Sequence, residues 1–375
     1  MAGNRNLNSA ARAKKDKFYT QMEDIENELH HYKDFFRGKT ILCNCDDPFE
    51  SNFFQYFALM FNTFELKKLI TTSYADSPIA GLELVLPGMG DGKKAYQFEA
   101  DSLQDWNGDG REDLEDVKFA IEHGIYKMKQ LTGDMKYCAG DFRSQECIEL
   151  LKQADVVVTN PPFSVFREYV AQLVDYDKKF LIIGNMNAIT YKEVFKLIMQ
   201  NKVWLGESIQ SGDRKFYVPD DYPLEAANCG IDEEGKRFLR IKGVRWFTNI
   251  KISKFHEYIP LYKKYSPEEN PRYDNYDAIE VSKTAEIPED YYGIMGVPIT
   301  FLDKYDPRQF EILGMCENLD LYGLKTRTYT AQECRDRYFE LFGKKGTYDL
   351  NAAGVINGKK VYQRILIRRR RENEN

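Results

Sequence analysis

The sequence predicts an α/β protein with a mostly parallel sheet, followed by a second region of different character. Short, wholly apolar segments recur along the first 255 residues, and several are separated by amphipathic stretches long enough for a helix. Strands that are apolar on both sides and alternate with helices are typical of a parallel sheet covered on both faces. After about residue 256 the alternation stops and the chain becomes rich in Tyr, Pro and charge.

The expected elements follow from these segments in chain order. The expected strands are Thr40–Cys43, Leu69–Ser73, Asp155–Thr159, Phe180–Gly184 and Val203–Leu205, and two of the expected helices are Val165–Val174 and Tyr191–Met199. Residues 20–36 predict another helix, which Thr20 and Glu23 would begin as a capping box. Three regions result: a polar tail over 1–14, an α/β domain over 15–255 with a Gly- and Asp-rich acidic insertion at 76–124, and a region over 256–375.

Composition excludes several classes of protein. No apolar run is long enough to span a bilayer, and the polar, basic N-terminus lacks the apolar stretch of a secretory signal. The seven Cys are scattered without a CxxC pair, so neither a zinc ribbon nor a disulfide framework is indicated. We therefore expect a cytoplasmic protein with no membrane association and no obligate protein partner.

The net charge of −6 does not decide whether the chain binds nucleic acid. Residues 101–122 carry eight acids against Arg111 and Lys118, an excess equal to the whole net charge. The rest of the chain is balanced and ends in a basic run from Arg368 to Arg371. A neutral body can still present a basic face to phosphates.

The strongest chemical signal is the segment VVVTNPPF, in which a predicted strand runs directly into Asn160, Pro161, Pro162 and Phe163. Ligands of open α/β sheets bind at the carboxyl ends of strands. The first proline holds Asn160 extended, and neither proline has an N–H. The loop would thus present the Asn160 amide oxygen and the Pro161 carbonyl, with Phe163 as a stacking face.

These groups suit methyl transfer to an aromatic amine. Two acceptors on the N–H bonds favour the pyramidal amine, whose lone pair then points at an electrophile, and fixed dipoles act strongly in a dry pocket. A sulfonium methyl donor needs no covalent enzyme intermediate. The alternative, that a proline pair merely ends a strand, would hold for an isolated NPP; the strand before it and the Phe and helix after it favour the functional interpretation.

The chain also resembles the EcoRI-type DNA adenine methyltransferases. The segment from KKDKFYT to FFQYF is similar to the N-terminus of that family, and GDFRSQEC and GVRWFTNI match further blocks in the same order over most of residues 14–255. The resemblance implies a Rossmann-like, S-adenosylmethionine-dependent catalytic domain over 15–255 and a target-recognition region over 256–375. It implies a site-specific enzyme that methylates the exocyclic amino group of a flipped-out adenine in duplex DNA, as in restriction-modification.

The resemblance also implies roles for individual residues. The cofactor-binding candidates are Phe18, Tyr19, Thr20, Cys43, Asn44, Asp46, Asp47, Asp141, Phe142 and Asn160. Cys43–Pro48 stands where most such enzymes have a glycine-rich turn, so close backbone approach cannot come from glycine here. Asp46 and Asp47 could instead hold the cofactor's amino or ribose groups, and which of the two does so is open. The segment LITTSYA ends the second strand without the acid with which many relatives bind the ribose.

Other candidates are aromatic or basic. Trp246 and Phe247 are candidates for the wall of the target-base pocket, with packing in the sheet as the alternative. The candidate DNA contacts are Arg272, Arg308, Arg327, Arg335 and Arg337, each of which could instead be a solvated surface charge.

The segment DWNGDGREDLED matches the spacing of a calcium loop. The ligand positions would be Asp105, Asn107, Asp109, Asp113 and Asp116, with Gly110 at the turn. The alternative is an acidic loop that caps the helix Leu114–Ile121, and it is favoured because free calcium is scarce in the cytoplasm. A bound ion would be structural.

Three other functions remain open at this point. A similar proline loop serves methylation of adenine in RNA or of a glutamine side chain in protein. A methyltransferase-derived DNA-binding protein that has lost catalysis is a third alternative, against which the intact Asn160–Phe163 loop argues.

Overall fold

A computed structural model describes residues 19–46, 51–73, 94–218, 224, 228–251 and 257–371. The strands in this part are β1 Tyr19–Thr20, β2 Thr40–Cys43, β3 Lys68–Thr72, β4 Tyr96–Ala100, β5 Lys127–Gln130, β6 Val156–Thr159, β7 Lys179–Asn185, β8 Trp204–Leu205, β9 Asp213–Tyr217, β10 Cys229–Ile231, β11 Arg237–Lys242, β12 Val244–Thr248, β13 Ile279–Glu280, β14 Ile294–Pro298, β15 Phe310–Met315, β16 Val355–Ile356, β17 Lys359–Lys360 and β18 Arg364–Arg369.

The α-helices of the same part are α1 Met22–Leu29, α2 Lys33–Phe36, α3 Asn52–Leu59, α4 Leu114–Glu122, α5 Gln145–Gln153, α6 Phe166–Asp175, α7 Lys192–Met199 and α8 Ala331–Phe342. None of the described helices is long and apolar enough to cross a membrane. The chain divides into two compact units, Met1–Lys196 with Val203–Ile252 and Leu197–Lys202 with Ser253–Asn375.

The first unit contains a mixed eight-stranded sheet in the order β5-β4-β3-β2-β6-β7-β12-β8. Its central strands β3, β2, β6 and β7 are parallel, whereas β4, β5, β12 and β8 pair antiparallel to their neighbours. The parallel strands are buried along nearly their whole length, which explains their continuous apolar sequences. The expected strands, and the helices expected over Val165–Val174 and Tyr191–Met199, are confirmed to within two residues, and the described part of the acidic insertion adds β4 and α4.

The order of the parallel strands proceeds to opposite sides of the sheet from the central pair β2 and β6. From β2 the chain continues to β3 on one side, and from β6 it continues to β7 on the other, while β2 and β6 are paired to each other. The carboxyl ends of β2 and β6 therefore flank a topological switch point, where open α/β sheets leave a crevice for ligands.

The N-terminal segment corrects one expectation. Thr20 does not cap a helix over 20–36; it lies in β1, which pairs antiparallel with β9 in a small sheet of order β1-β9-β11-β10. Helix α1 begins at Met22, and its preceding residue Gln21 makes no side-chain cap. A strand partner almost 200 residues away overrides the local capping pattern.

The buried carboxylate of Glu28 connects helix α1 by hydrogen bonds to the segment that follows β8. Glu28 is fully buried and accepts hydrogen bonds from the Tyr32 hydroxyl at 2.9 Å and from the backbone amides of Glu207 and Ser208. A Cβ at Gly206 would collide with this carboxylate and with Trp246, so only glycine fits beside it. These contacts hold the segment that follows β1.

The second unit has its own sheet, in the order β13-β14-β18-β15. Arg364 of β18 forms a buried ion pair with Glu280 of β13, and the Tyr273 hydroxyl donates to the same carboxylate. A separate hairpin joins β16 and β17 through Asn357 and Gly358, both at positive φ as a two-residue hairpin turn requires.

The turn after β2 has no glycine, but one of its residues, Cys45, adopts a backbone conformation that glycine usually supplies. Cys45 has φ +65° and is buried, and its backbone amide donates to the Thr72 hydroxyl at 3.3 Å. The left-handed conformation costs a residue with a side chain about 1–2 kcal/mol. The turn thus keeps a glycine-like backbone with a thiol in place of the glycine.

We predict that Cys45→Val lowers the free energy of unfolding about 1–2 kcal/mol more than Cys43→Val does, because a β-branched side chain fits the left-handed conformation poorly. Cys43 is the matched control: it is equally buried but lies in an extended strand, where valine is favoured. Urea unfolding of both variants measures the difference. Equal losses would show that Cys45 is not strained.

Candidate active site

The candidate site lies at the switch point, between the turn that follows β2 and the loop that follows β6. Asp46 is buried in that turn, and its carboxylate accepts a hydrogen bond from the Ser51 hydroxyl at 2.9 Å and another from the Thr159 hydroxyl. Thr159 is the last residue of β6 and directly precedes Asn160. One carboxylate therefore joins the two strand ends.

The Asp46 carboxylate also reaches the start of a helix through Ser51. The Ser51 hydroxyl accepts from the Phe53 backbone amide at 3.2 Å and is thereby the N-cap of α3. Asn52, the next residue, donates its side-chain amide to the Thr20 carbonyl at 2.7 Å. The β1 segment, with Tyr19 and Thr20, is in this way held next to the turn.

Two threonines hold the turn from the neighbouring strand. Thr72 donates its hydroxyl to the Asn44 side-chain oxygen at 2.8 Å, and Thr71 donates to the carbonyls of Cys43 and Asp46. Sequence reasoning sought an acid at the end of this strand and overlooked these hydroxyls. The two consecutive threonines at the end of this strand could have indicated these contacts, because buried threonine hydroxyls need hydrogen-bond partners.

The Asn160 loop is firmly packed. Asn160 and Pro161 are buried, Pro162 and Phe163 are half-buried, and Phe163 packs against the core of the sheet. A single turn of 3-10 helix over Phe163–Val165 leads into α6. The loop therefore stands at the carboxyl end of β6 in a fixed position, as the sequence predicted.

Helix α6 holds a second loop, which contains Asp141 and Phe142. Gln172 donates its side-chain amide to the Phe142 carbonyl at 3.1 Å, and the Tyr169 ring meets the Phe142 ring edge-on at 4.9 Å between centroids. Glu168 pairs with Arg143 at 2.8 Å. Because α6 directly follows the Asn160 loop, it also positions the Asp141–Phe142 loop relative to that loop.

Asp141 is oriented by Arg143, a residue that sequence reasoning did not single out. The guanidinium donates to both Asp141 oxygens, at 3.0 and 2.8 Å, while its face covers the rings of Phe142 and Tyr137. The hydrogen bonds to Asp141 raise the pKa of Arg143. Such a two-pronged pair fixes the carboxylate plane.

Thr20 supplies a test of whether these residues fit a ligand. Its hydroxyl is buried and has no hydrogen-bond partner among the described residues. A buried polar group without a partner costs about 1–3 kcal/mol, which a ligand at the turn would relieve. Amino, carboxylate, ribose and adenine groups of S-adenosylmethionine offer suitable partners, so the residue set fits this cofactor. Phe18 and Asp47 lie outside the described residues.

The structure places Trp246 and Phe247 in the core. Both are fully buried in β12, where Trp246 contacts Phe53 and Phe247 contacts Phe166 at ring distances of 5.9 and 5.0 Å. Adjacent residues of a strand point to opposite faces, so these two cannot line the same pocket. Packing in the sheet, the alternative considered above, describes both.

The five candidate arginines all lie in the second unit and make contacts within it. Four form ion pairs, which are Arg272–Asp277, Arg308–Asp306, Arg327–Glu333 and Arg337–Glu340. Arg335 donates to Gln332. The pairs of Arg272 and Arg327 are exposed on both sides, and exposed ion pairs are weak, about 0–1 kcal/mol. Arg308 differs, because its partner Asp306 is fully buried.

The acidic loop caps helix α4. Asp113 and Asp116 form a reciprocal capping box, and the Asp105 carboxylate accepts from the backbone amides of Gly108, Asp109 and Gly110. Asp116 also accepts from the amides of Trp106 and Asn107. Within the described ranges, no group of three or more His, Cys, Asp or Glu side chains is arranged to hold a metal ion.

Comparison with known proteins identifies the family. The sequence model described as "Adenine-specific methyltransferase EcoRI" matches residues 6–370. The chain is 42% identical over 379 residues to the Type II methyltransferase M.EcoRI of Escherichia coli, with 99% of this chain and 98% of the relative covered. It is 34% identical to the Type II methyltransferase M.MpnI of Mycoplasma pneumoniae, over 97% of this chain and 98% of the relative.

A third relative is the Type II methyltransferase M.MgeORF184P of Mycoplasma genitalium, at 33% identity over 97% of this chain and 98% of the relative. No solved structure is significantly similar to the chain. The resemblance noted in the sequence is confirmed over nearly its full length. The chain therefore belongs to the EcoRI family of adenine-specific methyltransferases.

Proposed function

We propose that the chain transfers a methyl group from S-adenosylmethionine to the exocyclic amino group of a flipped-out adenine at a specific site in duplex DNA. Membership of a methyltransferase family implies S-adenosylmethionine as the donor. One observation carries the proposal: the Asp46 carboxylate bonds to Thr159, so the cofactor turn meets the strand end that presents Asn160. Donor and acceptor sites are thereby adjacent.

In this mechanism the chain orients and polarises the target amine. The Asn160 side-chain oxygen and the Pro161 carbonyl accept hydrogen bonds from the two N–H groups of the target amine. The nitrogen lone pair then points away from the base plane. Phe163 stacks on the base. The bound donor supplies an electrophilic sulfonium methyl group, and the methylated amine is acidic enough to lose its proton without a strong base.

The cofactor would be held by the groups that surround the switch point. Tyr19 and Thr20 lie over the methionine end, together with Cys43, Asn44 and Asp46 of the turn. Asp141 and Phe142 hold the adenine, with Arg143 keeping the Asp141 carboxylate in place. The two oxygens of Asp46 accept hydrogen bonds from the Ser51 and Thr159 hydroxyls, which fix the position of its carboxylate in the turn.

Site-specific methylation of DNA requires both catalysis and recognition of the target sequence, and we assign these two functions to two regions of the chain. A Rossmann-like catalytic domain over 15–255 binds the cofactor and the extruded base, and extrusion costs a few kcal/mol. The region over 256–375 then recognises the target sequence, and its arginines are the candidate contacts. The composition change near 256, together with the separate compact unit that follows, supports this division.

The relatives' names further support a role in restriction-modification, since all three are Type II methyltransferases. The alternatives are methylation of RNA or of protein, and a binding protein without activity. Transfer of labelled methyl groups to duplex DNA, RNA and protein, measured in parallel, separates them. Label in the adenine of duplex DNA alone supports the proposal, and label in RNA or protein instead would overturn it.

We expect Asn160→Ala to lower kcat by orders of magnitude while affinities for S-adenosylmethionine and DNA stay nearly unchanged. In this mechanism Asn160 acts on the nucleophile in the transition state. The resemblance also makes Asn160 a cofactor-binding candidate, and an unchanged affinity for S-adenosylmethionine would remove it from that set. The control is Asn187→Ala, which removes an exposed amide after the neighbouring strand β7. Single-turnover methylation with separate binding measurements tests this, and near-normal turnover would remove Asn160 from the mechanism.

Arginine-to-alanine variants at Arg272, Arg308, Arg327, Arg335 and Arg337 test the recognition region. Replacement of an arginine that reads a guanine edge should cost about 1–3 kcal/mol of binding free energy and relax specificity at one base pair. Replacement of an arginine that contacts only phosphate should weaken binding to all DNA sequences alike and make binding less dependent on salt concentration. The exposed Arg37 of the first unit is the control.

The measurement is methylation of a library of sites followed by sequencing of the products. If every variant kept the parental preference while substitutions within residues 94–124 altered it, recognition would belong to the insertion instead.

A further inference from the structure

Tyr169 combines deep burial with a polar group that has no partner. The side chain is 1% exposed, on the first turns of α6 just after the Asn160 loop. Its hydroxyl oxygen is buried and makes no hydrogen bond to any residue that the structure describes. The other buried residues of α6 are Phe166, Val170 and Leu173, so Tyr169 is the one buried residue of this helix with a polar side-chain atom.

The position of the hydroxyl links it to the cofactor site. The Tyr169 ring lies against Phe142, at 68° between ring planes. Burial raises the pKa of the Tyr169 phenol well above its usual value, and Cys45 and Asp46 of the turn after β2 raise it further. The phenol is therefore protonated at neutral pH, and it is a hydrogen-bond donor on a side chain that packs against Phe142.

An apolar residue would serve this position better if packing were its only purpose. A buried hydroxyl without a partner costs about 1–3 kcal/mol, and phenylalanine would keep the edge-on contact with Phe142 without that cost. The Tyr169 hydroxyl could instead donate a hydrogen bond to an acceptor atom of a bound ligand. Phe142 is the proposed neighbour of the adenine, which makes the adenosine half of the cofactor the nearest source of ring nitrogens and ribose oxygens.

We propose that the Tyr169 hydroxyl donates a hydrogen bond to the adenosine half of bound S-adenosylmethionine. This inference rests on the proposed function for the identity of the cofactor. It adds a cofactor-binding residue from the helix behind the catalytic loop, so that α6 contributes both to the placement of the Asp141–Phe142 loop and to the ligand itself.

The test is Tyr169→Phe, with Tyr176→Phe as the matched control at the more exposed end of the same helix. Calorimetry gives the affinity for S-adenosylmethionine and for 5′-methylthioadenosine, which carries the adenosine half alone. We expect Tyr169→Phe to weaken both about tenfold, as loss of one buried hydrogen bond implies. The unfolding temperature without ligand should stay unchanged or rise, and Tyr176→Phe should bind like the parent.

The remaining outcomes overturn the inference. Unchanged affinities would assign Tyr169 to packing, and weakened binding of S-adenosylmethionine with unchanged binding of 5′-methylthioadenosine would place the contact outside the adenosine half. A large fall in the unfolding temperature without ligand would show that the hydroxyl has a structural partner. If the parent chain itself did not bind S-adenosylmethionine, the proposed function would fail, a result distinct from all of these.

Discussion

The carboxylate of Asp46 accepts hydrogen bonds from Ser51 and Thr159, and the candidate site is assembled around this contact. Parallel pairing of β2 and β6 brings their ends together but does not fix the loops beyond them. A buried carboxylate requires partners, and here these partners are the cap of α3 and the last residue of β6. Hydrogen bonding at Asp46 therefore fixes the position of the turn after β2 relative to the strand end that precedes Asn160.

Helix α6 provides the second constraint. It begins directly after the Asn160 loop, and Glu168, Tyr169 and Gln172 all contact the segment from Asp141 to Arg143. A shift of this helix would move the catalytic loop and the proposed adenine site together. Together these constraints hold the turn after β2, the Asn160 loop and the Asp141–Phe142 loop around one switch point, where we propose that the two reactants meet.

The strands that carry the site were predictable because their apolar segments are continuous. Thr40–Cys43 has the predicted bounds, and the strand before Asn160 differs by one residue. Contacts between distant residues were not predictable: Thr20 was expected to cap a helix, but its strand partner is Phe216. Likewise, nothing in the sequence pairs Asp46 with Thr159, 113 residues away.

The residue types at the turn were also misleading in one respect. The sequence indicated that close backbone approach after β2 cannot come from glycine, yet Cys45 adopts the left-handed conformation that glycine usually supplies. Trp246 and Phe247 illustrate the opposite case, in which large aromatic side chains suggest a binding role but lie in the core. Chemical type alone does not separate packing from binding; position relative to the switch point does.

A double-mutant cycle on Asp46→Ala and Thr159→Val tests most directly whether this contact assembles the site. Calorimetric affinity for S-adenosylmethionine is measured for the parent, both single variants and the double variant, with urea unfolding to verify that each is folded. We predict that the double variant loses hardly more affinity than Asp46→Ala alone, a coupling of about 1–3 kcal/mol. Losses that add to within about 0.5 kcal/mol would contradict the account.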